Sequence, residues 1–248
     1  MRYFIEFSYF GKGYHGWQRQ PNAITVQQVL EETFSTLAGD EISFVAAGRT
    51  DTGVHAKQMY AHFESDRIEN VVNLIFRLNS FLPDDISVKR IFEVPSEAHA
   101  RFDAIERTYE YWMVQQKNPF YLDSAHYINR QLDIQKMNEA AKIMIDHTDF
   151  ECFSKSQTDV KTYLCNLKKA EWAAVDGRLV FTISADRFLR NMVRAIVGTL
   201  LEVGLGKFTN ADIEQILESR NRSQAGTSVP AKGLYLVEIK YPPELVNI

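Results

Sequence analysis

The sequence predicts an α+β fold built from two tandem ferredoxin-like βαββαβ halves, with antiparallel sheets and helices on one face. Three observations carry this. Alternating apolar runs and helical runs follow the order βαββαβ twice. The second passage has no visible sequence repetition of the first. A hairpin dipeptide, Asp176-Gly177, joins two strand-like runs in the second passage and makes them antiparallel neighbours. The halves are expected at residues 1–98 and 99–248, with the junction near residues 94–104.

In the first half, residues 2–10 alternate, with Tyr3, Ile5, Phe7 and Tyr9 on one strand face. The stretch from Gly11 to Gln20 is rich in glycine, basic and aromatic residues and reads as a loop. Thr25-Val26-Gln27-Gln28 is a capping box. It opens a helix with Val26, Val29, Leu30, Phe34 and Leu37 at helical spacing, closed by Gly39. Residues 42–47 and 57–64 read as strands on either side of a polar loop. Residues 69–80 read as a helix with Val71, Leu74, Ile75 and Leu78 on one face, ended by Pro83, and residues 86–93 as a strand.

In the second half, residues 105–115 are a strand rich in tyrosine. Asp133 caps a helix to about residue 146 with Ile134, Met137, Ala141 and Met144 inward. Residues 164–174 and 178–185 are the hairpin strands. Asp186 is expected to cap a helix to about residue 203, stopped by Gly204. Thr209 starts a short extra helix, and residues 234–241 form the last strand.

The bulk numbers narrow the function. With 248 residues, 45% hydrophobic and 24% charged, the chain has the composition of an ordinary globular protein. No apolar run reaches the ~18 residues that a membrane span needs. The N-terminus carries Glu6 in its only apolar run and reads as a strand rather than a signal peptide. Cys152 and Cys165 lack metal spacing and suit a reducing cytoplasm. No histidine pair has the helical spacing of a metal site, so neither metal nor cofactor is expected. His62, His99, His126 and His147 read as structural. The net charge of −4 argues mildly against nucleic acid, but a local basic stripe suffices to engage phosphates.

Chemistry concentrates in residues 46–56, Ala-Ala-Gly-Arg-Thr-Asp-Thr-Gly-Val-His-Ala. Gly48 and Gly53 let the chain turn sharply and hold Asp51 at a tip. An acid beside an arginine suits a nucleophile or an electrostatic anchor. A second cluster lies at residues 187–203. There, helical spacing aligns Arg187, Arg190, Asn191 and Arg194 opposite an apolar stripe of Leu189, Met192, Val193, Ile196 and Leu200. Three arginines without an interleaved acid repel one another unless an anion sits among them. A third cluster is Arg101 to Tyr111, where alternation puts Arg107, Tyr109 and Tyr111 on one strand face. For Tyr111, core packing with a bonded hydroxyl is the expectation.

The loop at 46–56 resembles the active-site loop G-R-T-D-x-G-V-H-A of the tRNA pseudouridine synthase A family. Phe188 to Gly204 is similar to that family's second signature, and Arg107-Thr108-Tyr109, Gly233-Leu234-Tyr235-Leu236 and Gly16-Trp17-Gln18-Arg19-Gln20 match further stretches. The resemblance covers almost the whole chain and implies a pseudouridine synthase fold. It also implies conversion of uridine to pseudouridine at positions 38, 39 and 40 of the tRNA anticodon stem-loop, in the cytoplasm and without a cofactor. By the same resemblance Asp51 is the catalytic aspartate and Arg194 its partner. Tyr109 is the tyrosine that stacks on the target base, and Leu234 packs against that base. Arg49 is the candidate to replace the flipped base. Trp17, Gln18, His55, Arg107, Arg187 and Arg190 are candidate RNA contacts. A homodimer that makes a basic cleft is implied as well. Attack at C1′, attack at C6 and a glycal route all stay open, and residues 115–130 and 150–163 have no assigned role.

Two other readings compete. Asp51-Thr52-Gly53 spells the aspartic-protease signature, but that chemistry needs two carboxylates sharing a proton and the chain has no second such triplet. A non-catalytic RNA-binding module is the stronger alternative, although the ribonucleoprotein aromatic motif is absent.

Overall fold

The structure, a computed structural model, describes residues 1–155 and 160–246. Two compact units make up the chain. The first holds residues 1–105 and 235–248, the second residues 106–234.

The strands of the first unit are β1 (Arg2–Tyr9), β2 (Val45–Ala46), β3 (His55–Glu64), β4 (Ile86–Val94) and β9 (Leu234–Lys240), the last of which begins at the unit boundary. Strand β1 lies between β4 and β3, antiparallel to both, and β2 pairs antiparallel with β3. The first unit's own sheet therefore runs β4-β1-β3-β2. Strand β9 pairs with the start of β3 in parallel, His55 opposite Tyr235. This corrects the expectation of purely antiparallel sheets.

Helix α1 (Val26–Ala38) starts where Thr25 accepts a hydrogen bond from Gln28 N–H and ends at Gly39, whose φ of 68° suits a residue without Cβ. The reciprocal half of the expected capping box is not formed, and the Gln28 side-chain NH2 donates to Glu32. Val26, Leu30 and Phe34 are buried, and Phe34 packs edge-on against Phe44 and Phe63. Helix α2 (Val71–Phe81) is capped by Asn70 and buries Leu74 and Leu78. The strand expected at 42–47 shrinks to two residues for a clear reason. Ile42 N–H donates to Ser35 Oγ and Phe44 N–H to Glu31 Oε1, so α1 side chains take the backbone donors that a sheet would use.

In the second unit, β8 (Arg178–Ala185) lies between β5 (Glu106–Val114) and β7 (Leu167–Val175), antiparallel to both. A two-residue strand β6 (His126–Tyr127), not anticipated, pairs with β5 in parallel. The β7–β8 turn is as the sequence implies: Asp176 and Gly177 both have positive φ, 48° and 76°. Strand β7 starts later than expected because Leu164 bridges to Asp149 and Cys165 N–H bonds to Thr148 O. Helix α3 (Ile134–Ile145) is capped by Asp133 and buries Met137, Ala140, Ala141 and Met144. Helices α4 (Met192–Gly204) and α5 (Asn210–Ser219) follow, and Thr209 and Asp212 form a complete capping box for α5. A four-residue helix, α6 (Pro243–Val246), follows β9.

The helix expected to start at Asp186 starts instead after Asn191, which takes a left-handed conformation with φ 66°. Asp186 caps nothing. Its carboxylate accepts from the N–H groups of Arg187 and Asn166 and tightens the turn after β8. Cys152 and Cys165 are free and buried, and burial pushes both thiols up to about 12. Among the described residues no helix is long and apolar enough to cross a membrane.

Candidate active site

The residues singled out by the sequence fall on both units, and each set is described within its own.

In the first unit the Asp51 loop is held from three directions. Gly16 sits against its backbone with φ 86°, where an added Cβ would stand 2.4 Å from Thr50 O. Trp17 N–H donates to Thr50 O at 3.2 Å, and Gly53 N–H donates to Tyr14 O at 3.3 Å. Below the loop, the hydroxyls of Tyr9 and Thr50 share a buried hydrogen bond of 2.7 Å. Val54 N–H closes the turn onto Asp51 O. Asp51 itself is half-buried at the tip, and Arg49 is exposed. The backbone that carries the carboxylate is thus fixed by the 9–17 segment.

Two loop residues expected to meet RNA turn inward. Trp17 is only 3% exposed, with its ring against Phe7 at 5.2 Å. His55 is 1% exposed, stacked between Phe10 at 4.1 Å and Tyr235 at 4.6 Å. Its Nδ1 accepts from Gly11 N–H at 2.9 Å, so that nitrogen carries no proton and the imidazole is a fixed acceptor. Gly11 must be glycine, since a Cβ there would lie 1.9 Å from Val54 O. In this structure both rings pack beneath the loop. Gln18 is exposed.

In the second unit, β5 carries Arg107 and Tyr109. Arg107 Nη1 donates to Asp186 O at 2.7 Å, and the Tyr109 ring meets Phe188 edge-on at 5.1 Å. Tyr111 is fully buried and donates to Pro230 O at 2.8 Å, as its core role requires. Burial raises the Tyr111 hydroxyl far above its usual value, and the charge of Arg194 pulls it part of the way back. Arg194, on the first turn of α4, donates from Nε to Val229 O at 2.8 Å, and Val229 N–H returns to Arg194 O. The 226–230 segment can lie this close because Gly198 faces it. A Cβ there would fall 1.8 Å from Thr227 O. Leu234 is buried.

The row of arginines foreseen on one helix does not exist. Only Arg194 lies on α4. Arg187 and Arg190 precede the helix, Arg187 reaching Thr162 O and Arg190 O accepting from Lys155 N–H. Tyr9, Gly16, Gly198 and Val229 are positioning residues that sequence reasoning passed over. Gly16 and Gly198 were visible as glycines inside matched stretches, but which backbone they meet depends on the fold.

The first unit thus holds an aspartate on a fixed turn, and the second holds a half-buried tyrosine on a strand and a guanidinium bonded to a backbone carbonyl. The tRNA pseudouridine synthase family matches residues 6–103 and 140–242. The chain belongs to that family and is therefore an isomerase. It is 50% identical over 248 residues to tRNA pseudouridine synthase A of Parabacteroides distasonis, covering 100% of this chain and 98% of that one. It is 48% identical to the protein of the same name from Bacteroides thetaiotaomicron, over 99% and 93% of the two chains. The tRNA pseudouridine synthase A of Francisella tularensis subsp. holarctica is 38% identical over 97% and 94%. Family membership removes the aspartic-protease reading.

Proposed function

We propose that the protein converts uridine to pseudouridine at positions 38, 39 and 40 in the anticodon stem-loop of tRNA, with Asp51 as nucleophile. The observation that carries this reading is the fixing of the Asp51 backbone by Gly16, Trp17 and the Tyr9–Thr50 bond. A nucleophile must be preorganised, and this loop is.

The uracil N1–C1′ bond breaks, the base turns, and C5 joins C1′. The C5 proton leaves and N1 gains one, so nothing is oxidised or reduced. A base stacked in an A-form stem hides its reacting atoms and must first be flipped out. Exposed Arg49 takes its place in the stack. Asp51 then attacks the nucleoside. Tyr109 stacks on the uracil and assists removal of the C5 proton. Arg194 serves as the counter-charge of Asp51, and Leu234 packs on the base. Gln18, Arg107, Arg187 and Arg190 take backbone contacts. The enzyme works as a cytoplasmic homodimer without metal or cofactor. Two tandem ferredoxin-like halves, 1–98 and 99–248, belong to the same reading, and the order β4-β1-β3-β2 supports it for the first.

The test is pseudouridine mapping on an unmodified tRNA transcript with uridines at 38–40, using native protein and Asp51→Asn in parallel. Native protein is expected to modify those positions. Asp51→Asn is expected to lose at least about 10⁴-fold in rate while still binding RNA. RNA retained by both proteins with no pseudouridine formed by either would turn the reading into a non-catalytic RNA-binding module.

A further inference from the structure

Residues 115–130 have no part in the chemistry above, yet hydrogen bonds brace them at several points. Sixteen residues leave β5 and return beside it. The Gln115 side-chain amide donates to Arg130 O at 2.8 Å, and Ile128 N–H donates to Val114 O. The ends therefore meet, and residues 115–125 form a closed surface loop between β5 and β6, a form that is frequently functional. Ala125 is buried inside it.

The tip of the loop runs the other way. Phe120 is 91% exposed and Leu122 is 65% exposed. Neither is loosely held. Asn118 caps the 3-10 turn Pro119–Tyr121 by accepting from Phe120 N–H at 2.9 Å, and Lys232 Nζ donates to Leu122 O at 2.7 Å. Tyr121 N–H and Ala125 N–H are both satisfied within the loop. A phenyl ring is thus presented to solvent on a braced turn.

Its charge setting selects the partner. Lys117 and Arg130, at the two stems of the loop, are exposed and have no ion-pair partner among the described residues. Arg178 lies over the Tyr121 ring at 5.6 Å, and Lys232 holds the tip. Asp123, Asp176 and Glu110, which accepts from the Trp112 ring beneath Arg178, are acids of this neighbourhood, and Asp176 already pairs with Arg178. The exposed cations that flank the ring in sequence are Lys117 and Arg130, in a chain of net charge −4. Aromatic faces beside unpaired cations are how unstacked bases and their phosphates are held.

We infer that the Phe120 turn is a second RNA contact. Phe120 stacks on an unpaired base of the tRNA, and Lys117 and Arg130 hold the flanking phosphates. The inference rests on the RNA substrate proposed above. The loop leaves β5 after Val114, five residues past Tyr109, or about 17 Å along the strand. An anticodon arm is long enough to reach both.

The experiment measures tRNA Kd at several salt concentrations, in the Asp51→Asn background, together with KM and kcat in the active enzyme. Phe120→Ala is expected to raise Kd and KM about tenfold with kcat unchanged. Phe120→Trp is expected to keep native affinity, and Phe120→Leu to behave like the alanine variant, because stacking needs a ring. Lys117→Ala is expected to lower the slope of log Kd against log salt by about 1. Equal native-like binding by Phe120→Ala and Phe120→Trp overturns the inference. So does a Phe120→Ala protein that changes only its oligomeric state by sedimentation, which would assign the turn to contact with a second copy of the chain. If the native enzyme makes pseudouridine while Phe120→Ala binds normally, only this inference fails. If the native chain binds no tRNA, the functional reading fails with it.

Discussion

Tyr9 and Thr50 hold each other by a buried hydroxyl–hydroxyl bond of 2.7 Å, one residue before Asp51. Tyr9 closes β1, so the first strand of the sheet is anchored directly to the turn that presents the aspartate.

Tyr9→Phe removes that bond and keeps the ring. The expected cost is about 1 kcal/mol of stability, with Thr50 Oγ1 left buried and short of a partner. The turnover of pseudouridine is expected to fall about tenfold with tRNA Kd unchanged, since only the placement of Asp51 is loosened. Single-turnover assays and binding titrations separate the two.

Gly16→Ala meets two obstacles at once. Its φ of 86° is unfavourable for alanine, and the new Cβ would stand 2.4 Å from Thr50 O. A loss of at least about 2 kcal/mol is expected by urea unfolding, with activity lost even at temperatures where the variant stays folded. Gly39→Ala is the control. It shares the left-handed φ but has nothing within 4 Å, so it pays the backbone term alone and keeps activity.

Gly198→Ala drives a methyl group into Thr227 O, 1.8 Å away, and pushes the 226–230 segment off α4. Val229 O then leaves Arg194 Nε. The variant is expected to mimic Arg194→Ala in kcat, and the double variant to be little worse than either single one. Independent losses in the double variant would break the link between Gly198 and the guanidinium.

His62 makes acid stability predictable. Burial first, then the charges of neighbouring His99 and Arg2, lower its pKa to about 4 against the opposing pull of Glu64 and Asp103. The geometry agrees, since Nδ1 accepts from Ala100 N–H and a proton there would face another N–H. The unfolded chain binds its proton near 6.5, before the folded one does. Stability therefore declines as pH falls from about 6.5 to about 4 and this contribution is flat below that. The loss is about 2 kcal/mol, because water reaches part of the ring. Urea midpoints at pH 7, 5.5 and 4.5 measure it. His62→Gln, which keeps an acceptor for Ala100 but cannot titrate, is expected to flatten the slope.

Local signals in the sequence were legible wherever a short stretch decides its own structure. Thr25 and Gly39 bound α1, Pro83 follows the end of α2, and Asp176-Gly177 makes the hairpin. The α4 boundary was misread because Leu189 keeps the apolar spacing of Met192, Val193 and Ile196 although it lies before the helix. Asn191, an amino acid that tolerates the left-handed region, was the signal against it. The inward turn of Trp17 and His55 was hidden, since burial of a loop ring depends on partners outside the loop, Phe7 on β1 and the distant Tyr235. The parallel pairing of β9 with β3 joins residues 180 positions apart, beyond any local pattern.

That pairing orders events during synthesis. The second unit, one unbroken stretch of chain, has all its residues before the first unit has its own. While the ribosome is still adding β9, the His55 imidazole has Phe10 on one side and no Tyr235 on the other. The aspartate loop, made early, therefore gains this support only after the whole of the second unit has been made, so the Asp51 turn of the nascent chain stays incomplete until β9 emerges.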